Sequence, residues 1–96
     1  MRPSTALQLH RDRIREIALS HRVSDVRVFG SVLRGEDAEG SDLDILVSPT
    51  SETTLLDIAR IQYQLKKLLD VEVDVLTPMA LPEKFRQRVL DEAQAV

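Results

Sequence analysis

The chain has no cysteine, which excludes disulfides, thiolate nucleophiles and cysteine-based zinc or iron–sulfur centres. Oxygen and imidazole remain as metal ligands, and a reducing compartment fits. No apolar run approaches the roughly 18 to 20 residues that span a bilayer, and the N-terminus lacks a basic-then-apolar signal pattern, so a cytoplasmic location is expected. Phe29, Tyr63 and Phe85 are the only aromatics, too few for base-stacking platforms along a nucleic-acid strand. With a formal charge of −3 there is also no cationic excess of the kind that neutralises a phosphate backbone. Membranes and long nucleic acids are therefore poor expectations as partners.

What the chain does contain suits a packed core. It is 43% hydrophobic and 30% charged, well above the hydrophobicity of disordered segments. Its 96 residues leave too little apolar surface for two cores, so a single domain over residues 1–96 is expected. There is no internal repeat, low-complexity tract or long linker.

Periodicity then orders the elements. Pro3-Ser4-Thr5 reads as a cap before an amphipathic helix over about residues 5–20, with Leu7, Ile14, Ile17 and Ala18 on one face. Val26, Val28 and Phe29 form a short strand that stops at Gly30-Ser31. Val32 to Arg34 allows a turn of helix, and residues 35–40 read as an exposed connection that builds no core. Residues 42–47 form a second strand closed by Pro49, and residues 51–70 the longest helix, with Leu55, Ile58, Ala59, Leu65, Leu68 and Leu69 recurring at helical spacing. A third strand covers residues 71–76. Pro82 opens a fourth helix whose Leu81, Phe85, Val89 and Ala93 repeat every four residues. The order α-β-(α)-β-α-β-α implies an α+β fold with α/β-type element order, a small sheet covered by helices.

Within this frame, acidic residues gather. Residues two apart in a strand share a face, so Asp42 and Asp44 point together, roughly 6 to 7 Å apart at Cβ, while Leu43, Ile45 and Val47 pack inward. Like charges so placed call for a cation. The third strand alternates the same way, and in register it turns Asp74, with Glu72, toward that pair. Three acids suit Mg²⁺, a hard ion that keeps phosphate oxygens and waters in its shell, which implies a phosphate-bearing substrate. Gly30 permits close backbone approach, the turn aims free N–H groups at an anion, and the Ser31 hydroxyl adds a donor. Arg34 projects from the same turn and either grips phosphate through its forked guanidinium or pairs with Glu36 or Asp37. His10 and His21 read as surface or helix-end residues, Tyr63 as a packing residue, and Lys66, Lys67, Arg86 and Arg88 as solvated helix faces.

The run Phe29-Gly30-Ser31, the interval from Val32 to Ser41, and Asp42-Leu43-Asp44 together resemble the signature of the DNA polymerase beta-like nucleotidyltransferase superfamily. Arg34-Gly35, Ser41 before the acids, and Val73 to Pro78 resemble its minimal nucleotidyltransferase branch. The resemblance covers the chain from Val26 to the last helix and implies a mixed sheet. It implies Asp42, Asp44 and Asp74 as catalytic and metal-binding residues, Asp74 rather than Glu72 as third ligand, and Gly30, Ser31, Arg34 and Ser41 as nucleotide-binding. Mg²⁺, as one or two ions, and ATP follow from the same resemblance.

No second domain is expected to read an acceptor, so another chain must present it. Stand-alone members resembling this chain are often the antitoxin of a pair whose partner is an all-helical HEPN-type toxin with an RNase site. The implied reaction is transfer of AMP from ATP to a tyrosine of that toxin. Two other readings stay open: an antitoxin that neutralises its partner by binding alone, and adenylylation of a small hydroxylated molecule such as an antibiotic.

Overall fold

A computed structural model describes residues 1–96 in full. Four strands form one sheet in the order β3-β2-β1-β4. β1 (Val23–Phe29) runs antiparallel to β2 (Leu43–Pro49), and β2 runs parallel to β3 (Val73–Leu76). The sheet is therefore mixed, as the resemblance implies. The parallel pair needs a crossover, supplied by α4 (Leu55–Leu69).

Strand alternation divides the side chains between the two faces. On one, Val26, Val28, Leu43, Ile45, Val47, Val73 and Val75 are buried against Ile14, Ile17, Ile61 and Leu65 of the helices. On the other, Phe29, Leu46 and Leu81 make a smaller cluster, with Val89, Leu90 and Ala93 packed on it. At the outer edge, the Val75 N–H donates to Gln62 Oε1 at 3.0 Å, so a side chain from α4 occupies a donor that a foreign strand would otherwise meet.

Several expected boundaries shift. The first helix is two, α1 (Pro3–Leu9) and α2 (Arg11–Leu19), because His10 leaves helical geometry at φ −123° and ψ 22°. Pro3 occupies the first helical turn and no hydroxyl caps α1 from within. Instead the Ser4 N–H donates to Asp37 Oδ2 at 2.9 Å. Asp37 is buried, so the 35–40 connection is more than an exposed tether: it caps a helix distant in sequence. That hydrogen bond holds the Asp37 carboxyl below the ordinary carboxylate range.

α4 begins later than expected, behind a capping box. Thr54 Oγ1 accepts the Asp57 N–H and the Asp57 carboxylate accepts the Thr54 N–H, satisfying two free donors of the first turn. Its inward residues are Ile61, Leu65 and Leu69, whereas Leu55 is 89% exposed and Ala59 is exposed. Tyr63 is not a packing residue: it is 62% exposed, with Lys67 Nζ 5.5 Å from its ring centroid.

After β3, a short 3-10 turn (Pro78–Ala80) leads to α5 (Glu83–Glu92). Arg86 is not a solvated charge: its guanidinium donates to the Pro78 and Leu81 carbonyls, both at 3.0 Å. Phe85 faces out, 44% exposed. Ala93 lies past the end of α5, since Gln94–Ala95 form β4, antiparallel to β1 opposite Arg27 and Val28. The helical spacing of Ala93 is thus incidental, and Val96 completes the main core. No helix is long and apolar enough to cross a membrane.

Candidate active site

β1 ends where β2 begins, because the two are antiparallel, and this topology brings Gly30-Ser31 to the acidic end of β2. Phe29 pairs with Asp44 across that ladder, and Asp44 pairs with Asp74 on its other side. Neighbouring strands lie about 4.8 Å apart, so the expected register of Asp44 and Asp74 is the observed one. Asp42 precedes β2 on the same face, and the adjacent Leu43 N–H donates to the Glu72 carbonyl at 2.8 Å.

Gly30 is required twice. Its φ of 78° is one that L-residues rarely adopt, and a Cβ there would collide with the Asp44 carboxylate. The backbone at the start of α3 (Ser31–Arg34) is thereby pressed against a carboxylate, a contact that only a residue without a side chain allows. Here the reason for glycine is the acid itself.

The electrostatics show three acids gathered without enough compensation. Burial pushes the Asp44 carboxyl up to about 6, with the charges of Asp74 and Asp42 adding and Arg34 opposing. Asp74 is also raised, first by burial, then by repulsion from Asp42 and by a hydrogen bond it can donate to Asp42 only when protonated. In the protein alone, no three acidic or imidazole side chains are arranged to hold a metal ion. The donor set nevertheless fits a hard cation: oxygen only, sharing one face and repelling one another. A magnesium ion needs few protein ligands when substrate phosphates and water complete its shell. Asp42, Asp44 and Asp74 are the residues that would hold it.

The remaining candidates divide. Ser31 opens α3 beside Gly30 and is half-buried. Arg34 Nε donates to Glu36 Oε1 at 2.7 Å in an exposed pair, yet Arg34 is close enough to lower the Asp44 carboxyl. Ser41 Oγ accepts the Ala38 N–H at 2.9 Å and so closes the loop that delivers Asp42. Glu72 pairs with Lys66 at 3.1 Å and is exposed, away from the Asp42 and Asp44 pair. His10 lies at the helix junction, and His21 Nε2 contacts Gln64 Nε2 at 3.1 Å; neither belongs to the site. An open concavity of about 420 Å³ flanks the acids without including them, lined by Ser41, Lys66 and Glu72 among others. Sequence reading did not find α5 as a wall beside Gly30. Phe85 and Arg88 line a cavity there with Gly30 and Arg34, and their only signal was an apolar residue on a helix expected to be solvated elsewhere.

Comparison with known proteins agrees with this geometry. The model of the nucleotidyltransferase domain family matches residues 8–96. A Methanocaldococcus jannaschii protein assigned as a candidate protein adenylyltransferase is 42% identical over 81 residues, 84% of this chain and 87% of its own. The protein adenylyltransferase MntA of Thermococcus cleftensis is 35% identical over 86 residues, 90% of this chain and 84% of its own. Among solved structures, a candidate minimal nucleotidyltransferase superposes with a TM-score of 0.86 at 42% identity, covering 100% of this chain and 97% of that one. A chain of the complex between a tri-AMPylated HEPN toxin of Shewanella oneidensis and its MNT antitoxin has the same fold, with a TM-score of 0.68 at 19% identity over 92% of this chain and 69% of that one. A family match over nearly the whole chain, joined to relatives this similar, carries one conclusion: the protein belongs to the nucleotidyltransferase domain family and is a nucleotidyltransferase.

Proposed function

We propose that the protein transfers AMP from ATP to a tyrosine hydroxyl of a HEPN-type toxin and acts as that toxin's antitoxin. The observation that carries this reading is the packing of Gly30 on Asp44, with Asp74 in register beside it. Strand pairing thus holds in one place the turn and the carboxylates to which this reading gives the phosphates and the metal. The adenylyltransferase names of the relatives at 42% and 35% identity support AMP as the transferred group. The AMPylated toxin in the Shewanella complex supports the partner class.

In this reading the N–H groups at the start of α3, with the Ser31 hydroxyl, hold the outer phosphates. Arg34 reaches them by exchanging Glu36 for phosphate, an exchange of one exposed ion pair for a stronger charged contact. Asp42 and Asp44, with Asp74 beside them, would hold Mg²⁺, which would supply charge neutralisation at the phosphate under attack. Asp74, its carboxyl raised by burial and by Asp42, accepts the proton of the attacking hydroxyl. The oxygen of that hydroxyl bonds to the α-phosphorus as the bond to the bridging oxygen breaks, and pyrophosphate leaves. Ser41 acts by fixing the loop before Asp42.

The test is incubation of the purified protein with labelled ATP, Mg²⁺ and the helical product of the neighbouring gene. Label on a tyrosine of that partner is expected, and it should vanish with Asp42→Ala plus Asp44→Ala. Transfer that survives the double substitution would overturn the site. A double variant that neutralises the partner as well as wild type would make binding, not catalysis, the antitoxin mechanism.

A further inference from the structure

Asp37 and Asp57 are the two buried polar side chains, and each accepts an N–H at the start of a helix, from Ser4 and Thr54 respectively, both at 2.9 Å. The two caps differ in reach. Asp57 lies three residues from Thr54, inside the helix it caps, whereas Asp37 reaches α1 across 33 residues of chain. A helix start needs no such span, since a side chain beside it can serve. What the long reach adds is a hold on the segment between α3 and β2. That segment joins the two halves of the site, Gly30-Ser31 before it and Asp42 after it. Of residues 30–42, Asp37 alone is buried, and open space surrounds Gly35 and Gly40. The Glu36 N–H donates to the Ser31 carbonyl at 2.9 Å, the Ser41 N–H to the Ala38 carbonyl at 3.0 Å, and the Ala38 N–H to Ser41 Oγ at 2.9 Å. These bonds shape the segment but fasten it only to α3 and to itself. The hydrogen bonds that fasten it to another element are both at Asp37: the Ser4 N–H to its carboxylate and Arg2 Nη2 to its carbonyl, each at 2.9 Å. The Glu39 contact with the Met1 amino group, at 3.4 Å, is exposed and of the kind that solvent screens.

We propose that Asp37 is a positioning residue for nucleotidyl transfer, fastening this segment to α1 so that Asp42 is held in place relative to the Gly30-Ser31 turn. The proposal rests on the reading above that gives the phosphates to that turn and the metal to the acids. Strand pairing alone fixes Asp44 and Asp74, which sit opposite one another in the ladder. Asp42 precedes β2 and has no cross-strand partner, so its place depends on the segment that delivers it. With the anchor cut, fewer molecules present turn and acids in the binding arrangement, and apparent affinity falls by that fraction. Asp57 supplies the contrast. It caps α4 beyond Pro49, the end of β2 remote from Asp42, so its loss removes a cap and leaves the site's geometry alone.

The experiment measures ATP binding in Mg²⁺ by calorimetry, and amide hydrogen exchange over residues 35–42, for wild type, Asp37→Ala, Asp37→Asn, Asp57→Ala and Arg2→Ala. Each is studied at a temperature where circular dichroism shows it folded. Asp37→Ala should weaken ATP binding roughly 3- to 30-fold and speed exchange in the segment. Asp37→Asn, whose amide oxygen still accepts the Ser4 N–H, should recover most of both. Asp57→Ala should lower the melting temperature with ATP binding unchanged. ATP binding no weaker in Asp37→Ala than in Asp57→Ala would reduce Asp37 to a helix cap and overturn the proposal, as would a loss in Asp37→Asn as deep as in Asp37→Ala. Should Asp37→Ala fail to fold, Arg2→Ala carries the test, because it keeps the cap and removes only the second tie. Faster exchange and weaker ATP binding are expected there, and wild-type values for both would overturn the positioning role. Wild type that binds no ATP in Mg²⁺ would instead sink the site at Gly30-Ser31 and the acids, and the role of Asp37 with it.

Discussion

The two faces of the sheet are built from the same strands and put to opposite uses. On one, Leu43, Ile45 and Val47 of β2 and Val73 and Val75 of β3 are aliphatic and buried against the helices. On the other, alternation places Asp42, Asp44 and Asp74 beside a small cluster of Phe29, Leu46 and Leu81, on which α5 packs. The first face supplies burial, the term that offsets chain entropy. The second tolerates mutual repulsion between carboxylates that burial already disfavours. A ninety-six-residue chain can hold an electrostatically costly site because period-two alternation keeps the cost off the face that folds it.

Substitutions on the two faces should therefore separate activity from stability. The largest effect expected is Asp44→Ala on adenylyl transfer, a loss on the order of 10³-fold or more by analogy with removal of a charge-stabilising group, while the metal-free protein keeps or gains thermal stability near pH 7. If its melting temperature falls sharply instead, the acid is structural and the division between the faces is wrong. Leu65→Ala, on the covered face, should do the reverse. A destabilisation of about 2 to 5 kcal/mol in urea is expected, with unchanged turnover per folded molecule.

Gly30→Ala stands between the two because it touches both terms. A positive φ and a collision with Asp44 should cost about 1 to 3 kcal/mol of stability and lower transfer as well. Asp44→Ala on the same background should restore part of the stability by removing the clash. A double variant no more stable than the single one would refute the contact.

The smallest effect is on pH dependence in the absence of divalent metal. Asp44 has a carboxyl raised to about 6 from an ordinary 3.8, so the folded form binds its proton more tightly than the unfolded form. Its contribution to stability is full below about 3.8 and is lost as pH rises through 6. Stability should thus increase as pH falls from 7 toward 5. Below the ordinary carboxylate value the trend reverses, because Asp37 and Asp57, both held low by backbone hydrogen bonds, lose their caps on protonation. Denaturation midpoints across pH 3 to 8 in EDTA check this, and Asp44→Asn should shrink the gain between pH 7 and 5 to what Asp74, also raised, contributes. A gain as large in that variant as in wild type would show that Asp44 is not its source.

Periodicity was enough for the existence of β1, β2, β3 and α4, since alternation and helical spacing are written in consecutive residues. It misjudged exposure where one stripe had two possible partners. Leu55, Ala59 and Tyr63 recur as regularly as Ile61, Leu65 and Leu69, yet only the second set meets the sheet. The buried cap made by Asp37 was invisible for a related reason, because its partner, the Ser4 N–H, lies 33 residues away. β4 was hidden by brevity: two residues carry no period, and only pairing with Arg27 and Val28 defines them as a strand.

The Gly30-Ser31 turn and the acids meet only through the tertiary structure. The motif Gly30-Ser31 with Asp42 and Asp44 is local, so the amino-acid order alone determined that a turn and a pair of same-face carboxylates would exist. Only the tertiary structure decided what they face. Antiparallel pairing carries Gly30 onto Asp44, parallel pairing brings Asp74 alongside, and α5 folds back to set Phe85 and Arg88 next to Gly30. Strand direction and register are fixed by how the helices cover the apolar face, a condition that depends on residues far apart along the chain.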